Sequence, residues 1–220
     1  MEIIAHIETD FKTKFGLPRQ SLLAGITGRI VFEPKYRVKE AFRGLEDFSH
    51  IWLLWEFSEC KRADWSPTVR PPLLGGNTRM GVFATRSPYR PNNIGLSAVK
   101  LEKIDFNCSD APVLYVSGAD LMNGTPIYDI KPYLPYADSI ENATGGFTET
   151  LSERKLEVEI PKDLLLLIPS EKREELISVL SLDPRPSYIE DPERIYGFLF
   201  AEFEIKFKVN KKQLIVTEIL

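Results

Sequence analysis

The loop between Gly81 and Gly95 carries side chains that could bind an anion. It follows a strand-like run ending at Thr85 and presents Arg86 and Arg90 among prolines and asparagines. Proline fixes φ and lacks an N–H group, so such a loop loses little entropy when its arginines become ordered. A planar guanidinium donates two parallel hydrogen bonds to a carboxylate or a phosphate. A purely structural proline-rich loop with solvated arginines fits these residues equally well.

A second group of polar side chains lies between Asp120 and Tyr136. Asn123-Gly124 is a strong turn signal, and the N–H groups of a turn can face a ligand. Asp129 and Lys131 are two residues apart, so they share one side of an extended segment. Asp129 could accept a proton, and Tyr133 offers a ring on which a base could stack. A hairpin turn with an ordinary ion pair between Asp129 and Lys131 remains the plainer interpretation.

Local charge departs from the charge of the whole chain between Lys61 and Lys103. The 220 residues hold 28 Lys+Arg and 32 Asp+Glu, a formal net charge of −4, so the chain as a whole is no polycation. The segment has only Asp64 and Glu102 as acids. Its basic residues are Lys61, Arg62, Arg70, Arg79, Arg86, Arg90, Lys100 and Lys103. Gathered on one face they could hold a phosphate backbone, although a solvated basic surface is an equal alternative.

Several familiar kinds of catalytic site lack their sequence signatures. The two histidines, His6 and His50, have no partner at ligand spacing, so no metal centre is expected. Neither G-x-G-x-x-G after a strand nor G-x-x-x-x-G-K-[ST] occurs, which argues against Rossmann and P-loop nucleotide sites. Ser97 in Gly-Leu-Ser-Ala-Val lacks the second glycine of a nucleophile elbow, which argues against a hydrolase.

The elements that must position these residues are mostly strands. The strand-like runs are Glu2–Thr9, Ile26–Phe32, Ile51–Phe57, Met80–Thr85, Ile94–Ile104 and Val113–Ser117. No regular helical crossover separates them, which predicts an antiparallel barrel or sandwich over residues 1–137. Residues 138–160 read as an acidic connection. Residues 161–220 predict a small α+β subdomain with two short helices and a hairpin.

Composition places the chain among globular proteins. Hydrophobic residues make up 43% and charged residues 27% of the chain. No apolar run approaches the roughly 18 residues that a membrane helix needs, and the first residues lack a secretion signal. Two cysteines, Cys60 and Cys108, are too few for a disulfide framework. We therefore expect a cytoplasmic protein.

Several motifs, in one order along essentially the whole chain, resemble the TsaA-like (TrmO) family of S-adenosylmethionine-dependent tRNA methyltransferases. These motifs are Pro18-Arg19-Gln20, Arg43-Gly44-Leu45-Glu46 with Phe48-Ser49-His50, Thr68-Val69-Arg70-Pro71-Pro72, Gly81–Gly95, Asn123–Tyr133 and Asp183-Pro184-Arg185-Pro186. The resemblance implies a single-sheeted β-barrel that binds S-adenosylmethionine without a Rossmann fold. It also implies a homodimer with the cofactor site near the interface, and N6-methylation of threonylcarbamoyladenosine beside the anticodon of tRNA.

The resemblance also implies a set of cofactor-binding positions. They are Pro18, Arg19, Gln20, Ser58, Glu59, Arg86, Leu96, Asn123, Gly124, Thr125 and Pro126. The chain departs from the family pattern twice, with Asn123 in place of an aspartate and Asn93 in place of a proline. The first departure removes a potential charge partner of a cationic ligand.

The remaining roles are hypotheses from side-chain chemistry. Asp129 is the candidate proton acceptor, while Arg90 and Asn92 are candidates for gripping the RNA or the threonylcarbamoyl carboxylate. Lys131 could contact a phosphate, and Tyr133 could stack on a base. The alternative function is a non-catalytic RNA-binding barrel that uses the same basic loop.

Overall fold

The computed structural model describes residues 1–60, 64–149, 155–185 and 191–220. Six strands form one closed antiparallel barrel in the order β1-β2-β7-β6-β3-β8. They are β1 (Ala5–Glu8), β2 (Thr27–Phe32), β3 (His50–Glu56), β6 (Ile94–Asp105), β7 (Val113–Ser117) and β8 (Thr125–Pro132). The predicted single-sheeted antiparallel barrel is confirmed. No helix among the described residues is long and apolar enough to span a membrane.

Alternating burial explains why these segments form strands of a barrel. In β3, Ile51, Leu53 and Trp55 are buried while the residues between them are partly exposed. Successive side chains of a strand point to opposite faces, so one face of β3 fills the barrel and the other meets solvent. The strand pairs with β6 on one side and with β8 on the other, which places β3 in the middle of the wall that carries the site.

A small two-stranded arm projects between β3 and β6. Its strands are β4 (Thr68–Val69) and β5 (Met80–Gly81). The prediction of a strand over Met80–Thr85 is wrong beyond Gly81, because Val82–Ala84 form a 3-10 turn. The partner strand ends at Val69, and Pro71 and Pro72 after it have no N–H groups with which to continue a ladder.

The C-terminal part is a four-stranded sheet with short helices. Its order is β10-β11-β12-β9. The remaining elements are α1 (Pro135–Asp138), β9 (Glu157–Glu159), α2 (Lys162–Leu167), α3 (Arg173–Ser181), β10 (Tyr196–Phe200), β11 (Phe203–Asn210) and β12 (Gln213–Ile219). The division into residues 1–137, 138–160 and 161–220 stays a proposal. Strand β9 lies inside the middle stretch and pairs in parallel with β12.

The barrel and the C-terminal sheet share one hydrophobic core. Phe11, just after β1, stacks on Phe198 at 6.5 Å between ring centroids and meets Phe200 edge-on at 5.7 Å. Residues 9–26, which connect β1 to β2, are called the early loop. Gly16, at φ +90°, allows the early loop to pass the ring of Phe198, since a Cβ there would lie 2.3 Å from it. The early loop is therefore held between the two parts of the molecule.

A buried carboxyl group lies at the contact between α3 and the barrel. Glu175 is 7% exposed and accepts a hydrogen bond of 3.1 Å from the Thr27 hydroxyl, while its Oε1 has no partner. Burial is the main cause that raises its pKa to about 7; the charge of Asp10 adds to the rise, and hydrogen bonds from Thr27 and the charge of Lys172 oppose it. Lys172 itself forms an ion pair with Asp10, which also joins the two parts.

Glu175→Gln is expected to stabilise the protein at about pH 8 and to have little effect near pH 5. A carboxyl group whose pKa is higher in the folded state than in the unfolded state destabilises the folded state once it ionises. This loss of stability develops as the pH rises from the ordinary pKa of 4.5 through about 7. The gain in the free energy of unfolding should be on the order of 2–3 kcal/mol at the higher pH. Urea denaturation at both pH values measures it.

Glu174→Gln serves as the matched control, because Glu174 is the exposed neighbour on the same helix. It should show no such pH-dependent difference. An equal effect of Glu175→Gln at both pH values would contradict the assignment.

Candidate active site

One cleft collects residues from the early loop, the arm and the start of β6. Its volume is about 460 Å³, within the range of small-molecule sites. It is lined by Lys14, Leu17, Pro18, Arg19, Gln20, Trp55, Phe57, Thr85, Arg86, Arg90, Ile94, Gly95, Leu96 and Asp120. Apolar and aromatic side chains form part of the wall, and both signs of charge are present. Such a lining suits an amphipathic ligand that carries charged groups of its own.

A chain of hydrogen bonds crosses the wall of this cleft. Trp55 Nε1 donates to Ser97 Oγ at 3.0 Å, and Ser97 Oγ donates to Asp120 Oδ1 at 2.6 Å. An indole N–H can only donate, so the Ser97 proton is directed to the carboxylate. Because Ser97 is only 1% exposed, burial protects the chain from competing water.

The carboxyl group of Asp120 has a perturbed pKa. Burial raises the pKa, and hydrogen bonds from Ser97 and from the N–H of Ser21, together with the charge of Arg86, partly offset the rise. Ser21 directly follows the early loop motif, so Asp120 ties that loop to strand β6. Three segments far apart in sequence therefore meet at one carboxylate.

The early loop contacts both the arm and the C-terminal part. Arg86 Nη1 donates to Gln20 Oε1 at 2.5 Å. Arg19 Nη2 donates to the carbonyl of Arg185 at 3.1 Å, and Arg185 pairs with Asp183 at 2.8 Å. The cleft is therefore bordered by the C-terminal part as well as by the barrel. Pro186, the last residue of that C-terminal motif, lies outside the described residues.

The structure brings together five of the eleven expected cofactor-binding residues in this cleft. They are Pro18, Arg19, Gln20, Arg86 and Leu96. Ser58 and Glu59 lie in the adjacent 3-10 turn, outside the lining. The carbonyl of Glu59 accepts a hydrogen bond of 3.1 Å from Lys14, which itself lines the cleft.

The expected turn at Asn123–Pro126 is present but is held against β1 and does not line the cleft. The N–H of Asn123 donates to Phe11 and the N–H of Gly124 donates to Ile7, both at 2.8 Å. The amide oxygen of Asn123 accepts from the N–H of Thr9 at 3.1 Å. Thr125 and Pro126 are buried. The turn lies at the cleft end of the barrel, because Ile127 pairs with Trp55.

Asp129 lies on the outer face of the barrel and outside the cleft lining. Its Oδ2 pairs with Lys131 at 2.9 Å, and its Oδ1 accepts the N–H of Ile130 at 2.9 Å. In the sheet register Asp129 faces Leu54, which faces Leu96 at the cleft. Asp129 is therefore two strand spacings, roughly 10 Å, from the edge of the cleft.

A cluster of ring side chains, His50, Trp52 and Tyr133, lies next to Asp129 and Lys131 on this outer face. The ring of Tyr133 lies 5.6 Å from Trp52 and 6.2 Å from His50, measured between centroids. Lys131 is exposed and faces Trp52 in the sheet register. Aromatic and basic side chains therefore share one accessible surface beside the cleft.

Arg90 and Asn92 differ in how freely they could meet a ligand. One guanidinium nitrogen of Arg90 donates to the carbonyls of Val82, at 3.0 Å, and Thr85, at 2.6 Å, which holds the arm loop in shape. Asn92 is exposed, and its carbonyl accepts the N–H of Ile94. Arg90 also lines the cleft, so it combines a structural contact with access to a ligand.

The basic segment does not form a single face. Arg70 and Arg79 lie in the arm, and Arg86 follows the arm at the cleft. Lys103 lies nine residues beyond the start of β6, which at about 3.3 Å per residue is roughly 30 Å along the barrel. Lys61 and Arg62 lie outside the described residues.

Sequence reasoning missed Asp120, Ser97 and Trp55 as parts of one site. Their separations along the chain match no local spacing rule, because the three meet only through strand register and loop packing. The available signal was a polar Ser97 at a buried position of β6, between the buried Gly95 and Val99. A buried hydroxyl requires a partner, and here that partner is a carboxylate.

Fold and site together define a class of protein, a closed antiparallel barrel that carries a charged and aromatic cleft as its candidate binding site and has no doubly wound sheet among the described residues. Family models match the chain over residues 6–139, as the tRNA-methyltransferase O N-terminal domain, and over residues 153–220, as the TrmO C-terminal domain. The chain belongs to the TrmO family.

Relatives and solved structures agree with this membership. An Escherichia coli K12 protein named tRNA (adenine(37)-N6)-methyltransferase is 40% identical over 95% of this chain and 92% of its own length. A Pyrococcus abyssi protein named "Probable S-adenosyl-L-methionine-binding protein" is 36% identical over 66% of this chain and 74% of its own. The crystal structure of TrmO from Pseudomonas aeruginosa covers 99% of this chain and 97% of that chain, with a TM-score of 0.79 and 32% identity.

Gly95→Ala is expected to destabilise the protein by about 1–3 kcal/mol, as overpacking does in a filled interior. A Cβ at position 95 would lie 2.2 Å from Trp55 Cε2, so the indole would have to move away from Ser97. Urea denaturation followed by tryptophan fluorescence measures the change. Gly81→Ala is the control, since a Cβ there meets nothing within 4 Å. Equal stability of the two variants would contradict this account of the cleft wall.

Proposed function

We propose that this protein is an S-adenosylmethionine-dependent tRNA methyltransferase that methylates N6 of threonylcarbamoyladenosine next to the anticodon. Membership of the TrmO family supports the reaction class. The structural observation on which the proposal rests is the cleft in which Gln20, Arg86 and Asp120 converge beside apolar walls. A methyl donor with an adenine, a carboxylate and two cationic centres needs such a mixture of surfaces.

The cofactor-binding side chains in this proposal begin with those that line the cleft. Pro18, Arg19, Gln20, Arg86 and Leu96 form the first group. Arginine suits the carboxylate of the donor, and Trp55 and Phe57, 4.2 Å apart between centroids, offer an apolar wall. Ser58, Glu59, Asn123, Gly124, Thr125 and Pro126 are proposed to contribute from the adjoining turns. When bound, S-adenosylmethionine supplies an electrophilic methyl group.

The protein contributes mainly by aligning the acceptor nitrogen with that methyl group. Well-oriented encounters can supply ~7–11 kcal/mol of the barrier. N6 of threonylcarbamoyladenosine already carries the carbamoyl group and would lose its single N–H proton on taking the methyl group, with S-adenosylhomocysteine as the leaving group; we assign that proton to the Asp129 carboxylate. Asp129 lies in the same cross-strand row as Leu96, which supports this assignment. An adenine ring lying across that row would reach both Leu96 at the cleft and the Asp129 carboxylate.

The tRNA is proposed to lie against the outer face beside the cleft. Tyr133 is assigned to stacking on a base and Lys131 to a phosphate. Arg90 and Asn92 are assigned to the backbone or to the threonylcarbamoyl carboxylate. The arrangement separates a cofactor cleft from an RNA surface, with Leu96 between them.

We also propose that the protein is a homodimer and is located in the cytoplasm. The segments that flank the arm expose two stacked aromatic side chains, Phe83 at 69% and Trp65 at 47%, with ring centroids 6.0 Å apart. Exposed apolar groups of this size are typical of interaction surfaces, and this one adjoins the cleft. A cytoplasmic location agrees with a tRNA substrate.

Deletion of the gene should remove methylated threonylcarbamoyladenosine from cellular tRNA and leave the unmethylated nucleoside in its place. Mass spectrometry of tRNA nucleosides with and without the gene measures both species. Purified protein with S-adenosylmethionine should restore the methylated nucleoside on tRNA from the deletion strain. An unchanged nucleoside profile, together with no methylation by the purified protein, would refute the proposal.

Asp129→Asn should slow single-turnover methylation by about a hundredfold or more, the usual contribution of a positioned base. Glu8→Gln is the matched control, because Glu8 is also a barrel carboxylate in an ion pair, with Arg29 at 2.7 Å. Its rate should equal that of the unmodified protein. A rate for Asp129→Asn within about twofold of that value would reject Asp129 as the base.

The non-catalytic RNA-binding barrel is not favoured. Such a protein would give no heat of cofactor binding in calorimetry, whereas the methyltransferase should bind S-adenosylmethionine without RNA. The family membership and the mixed-charge cleft both support the enzyme.

A further inference from the structure

Asp120 is the only acidic side chain that lines the cleft within the described part of the chain. Its carboxylate is fixed from several sides, by the hydroxyl of Ser97 at 2.6 Å and by the N–H of Ser21. The Trp55 indole holds Ser97 in turn at 3.0 Å. A carboxylate held in this way is preorganised toward whatever ligand enters the cleft.

The other charged side chains that line the cleft are basic. Lys14, Arg19, Arg86 and Arg90 line the same cleft. Arg86 is near enough to the carboxylate to oppose the rise of its pKa. The cleft therefore holds one anionic group, Asp120, and a cationic group, Arg86, that interact electrostatically, and Arg86 also meets the early loop through Gln20.

Such a pair matches the two charges of an α-amino acid. The ammonium and the carboxylate of an amino acid share one carbon, so their partners must also be neighbours. An ammonium brings N–H donors to a carboxylate, and a charge-assisted hydrogen bond of this kind is stronger than a neutral one. The sulfonium centre of the methyl donor has no N–H group to donate.

We propose that Asp120 accepts hydrogen bonds from the α-ammonium of the cofactor, while Arg86 takes the carboxylate on the same carbon. The inference rests on the proposed function, because S-adenosylmethionine carries this amino-acid group. It assigns Asp120 to recognition of the amino-acid end of the ligand and not to the methyl group.

Calorimetry of Asp120→Asn with three ligands tests the proposal without a turnover measurement. The Kd values for S-adenosylmethionine and S-adenosylhomocysteine should both rise about tenfold to a hundredfold, as expected for a lost hydrogen bond to a charged group. The Kd for 5′-methylthioadenosine, which lacks the amino-acid group, should change less than twofold. Asp105→Asn, at the far end of β6, is the matched control and should bind all three ligands normally.

A measurement on the unmodified protein removes any dependence on folding of the variant. A deamino analogue of S-adenosylhomocysteine keeps the carboxylate and loses the ammonium, so it should bind about tenfold or more weakly than S-adenosylhomocysteine. Equal binding of the two would overturn the proposal.

The other outcomes are equally distinct. Weaker binding of S-adenosylmethionine alone would assign Asp120 to the sulfonium and overturn the inference. Equal weakening of all three ligands, or no change in any, would do the same and leave a structural carboxylate. Failure of the unmodified protein to bind any of the ligands would overturn the proposed function together with the inference.

Discussion

The hydrogen bonds that converge on Asp120 are the constraint on which the cleft depends. Ser97 on β6 and Ser21 in the early loop both donate to this carboxylate, and Trp55 on β3 donates to Ser97. A buried polar network is stable only when its members are satisfied, so these contacts fix strand register and loop position together. The glycine at position 95 leaves room for the Trp55 ring, and thereby for the network.

The contact between the barrel and the C-terminal part has a different physical character. It combines aromatic packing of Phe11 with Phe198 and a set of charged groups that includes the buried Glu175. Aromatic burial gives this contact its main stabilisation, whereas a buried carboxyl group opposes folding once it is ionised. Because Arg19 donates to the carbonyl of Arg185, a change in this contact would also be felt at the edge of the cleft.

The sequence predicted the structure correctly where the evidence for an element or a motif lies within one continuous segment. The alternating apolar pattern of β3 predicted its alternating burial. The motif Pro18–Gln20 and the loop before Gly95 were both predicted to bind a ligand, and residues of both line the cleft. The arm strand beyond Gly81 was predicted wrongly, because the apolar run continues while the partner strand ends before two prolines. Residues 123–126 form the expected turn, but their N–H groups bond to β1 and do not line the cleft.

Local patterning and motifs by themselves determined that this chain forms antiparallel strands, belongs among barrel proteins of one family and carries arginines on a rigid loop. Only the tertiary structure decided which charges meet. Asp129 stood out by its spacing from Lys131 and lies on the outer face, while Asp120 has no such spacing and lies in the cleft. The reason is physical: alternation along a strand determines the face of a side chain, but register between distant strands determines its neighbours.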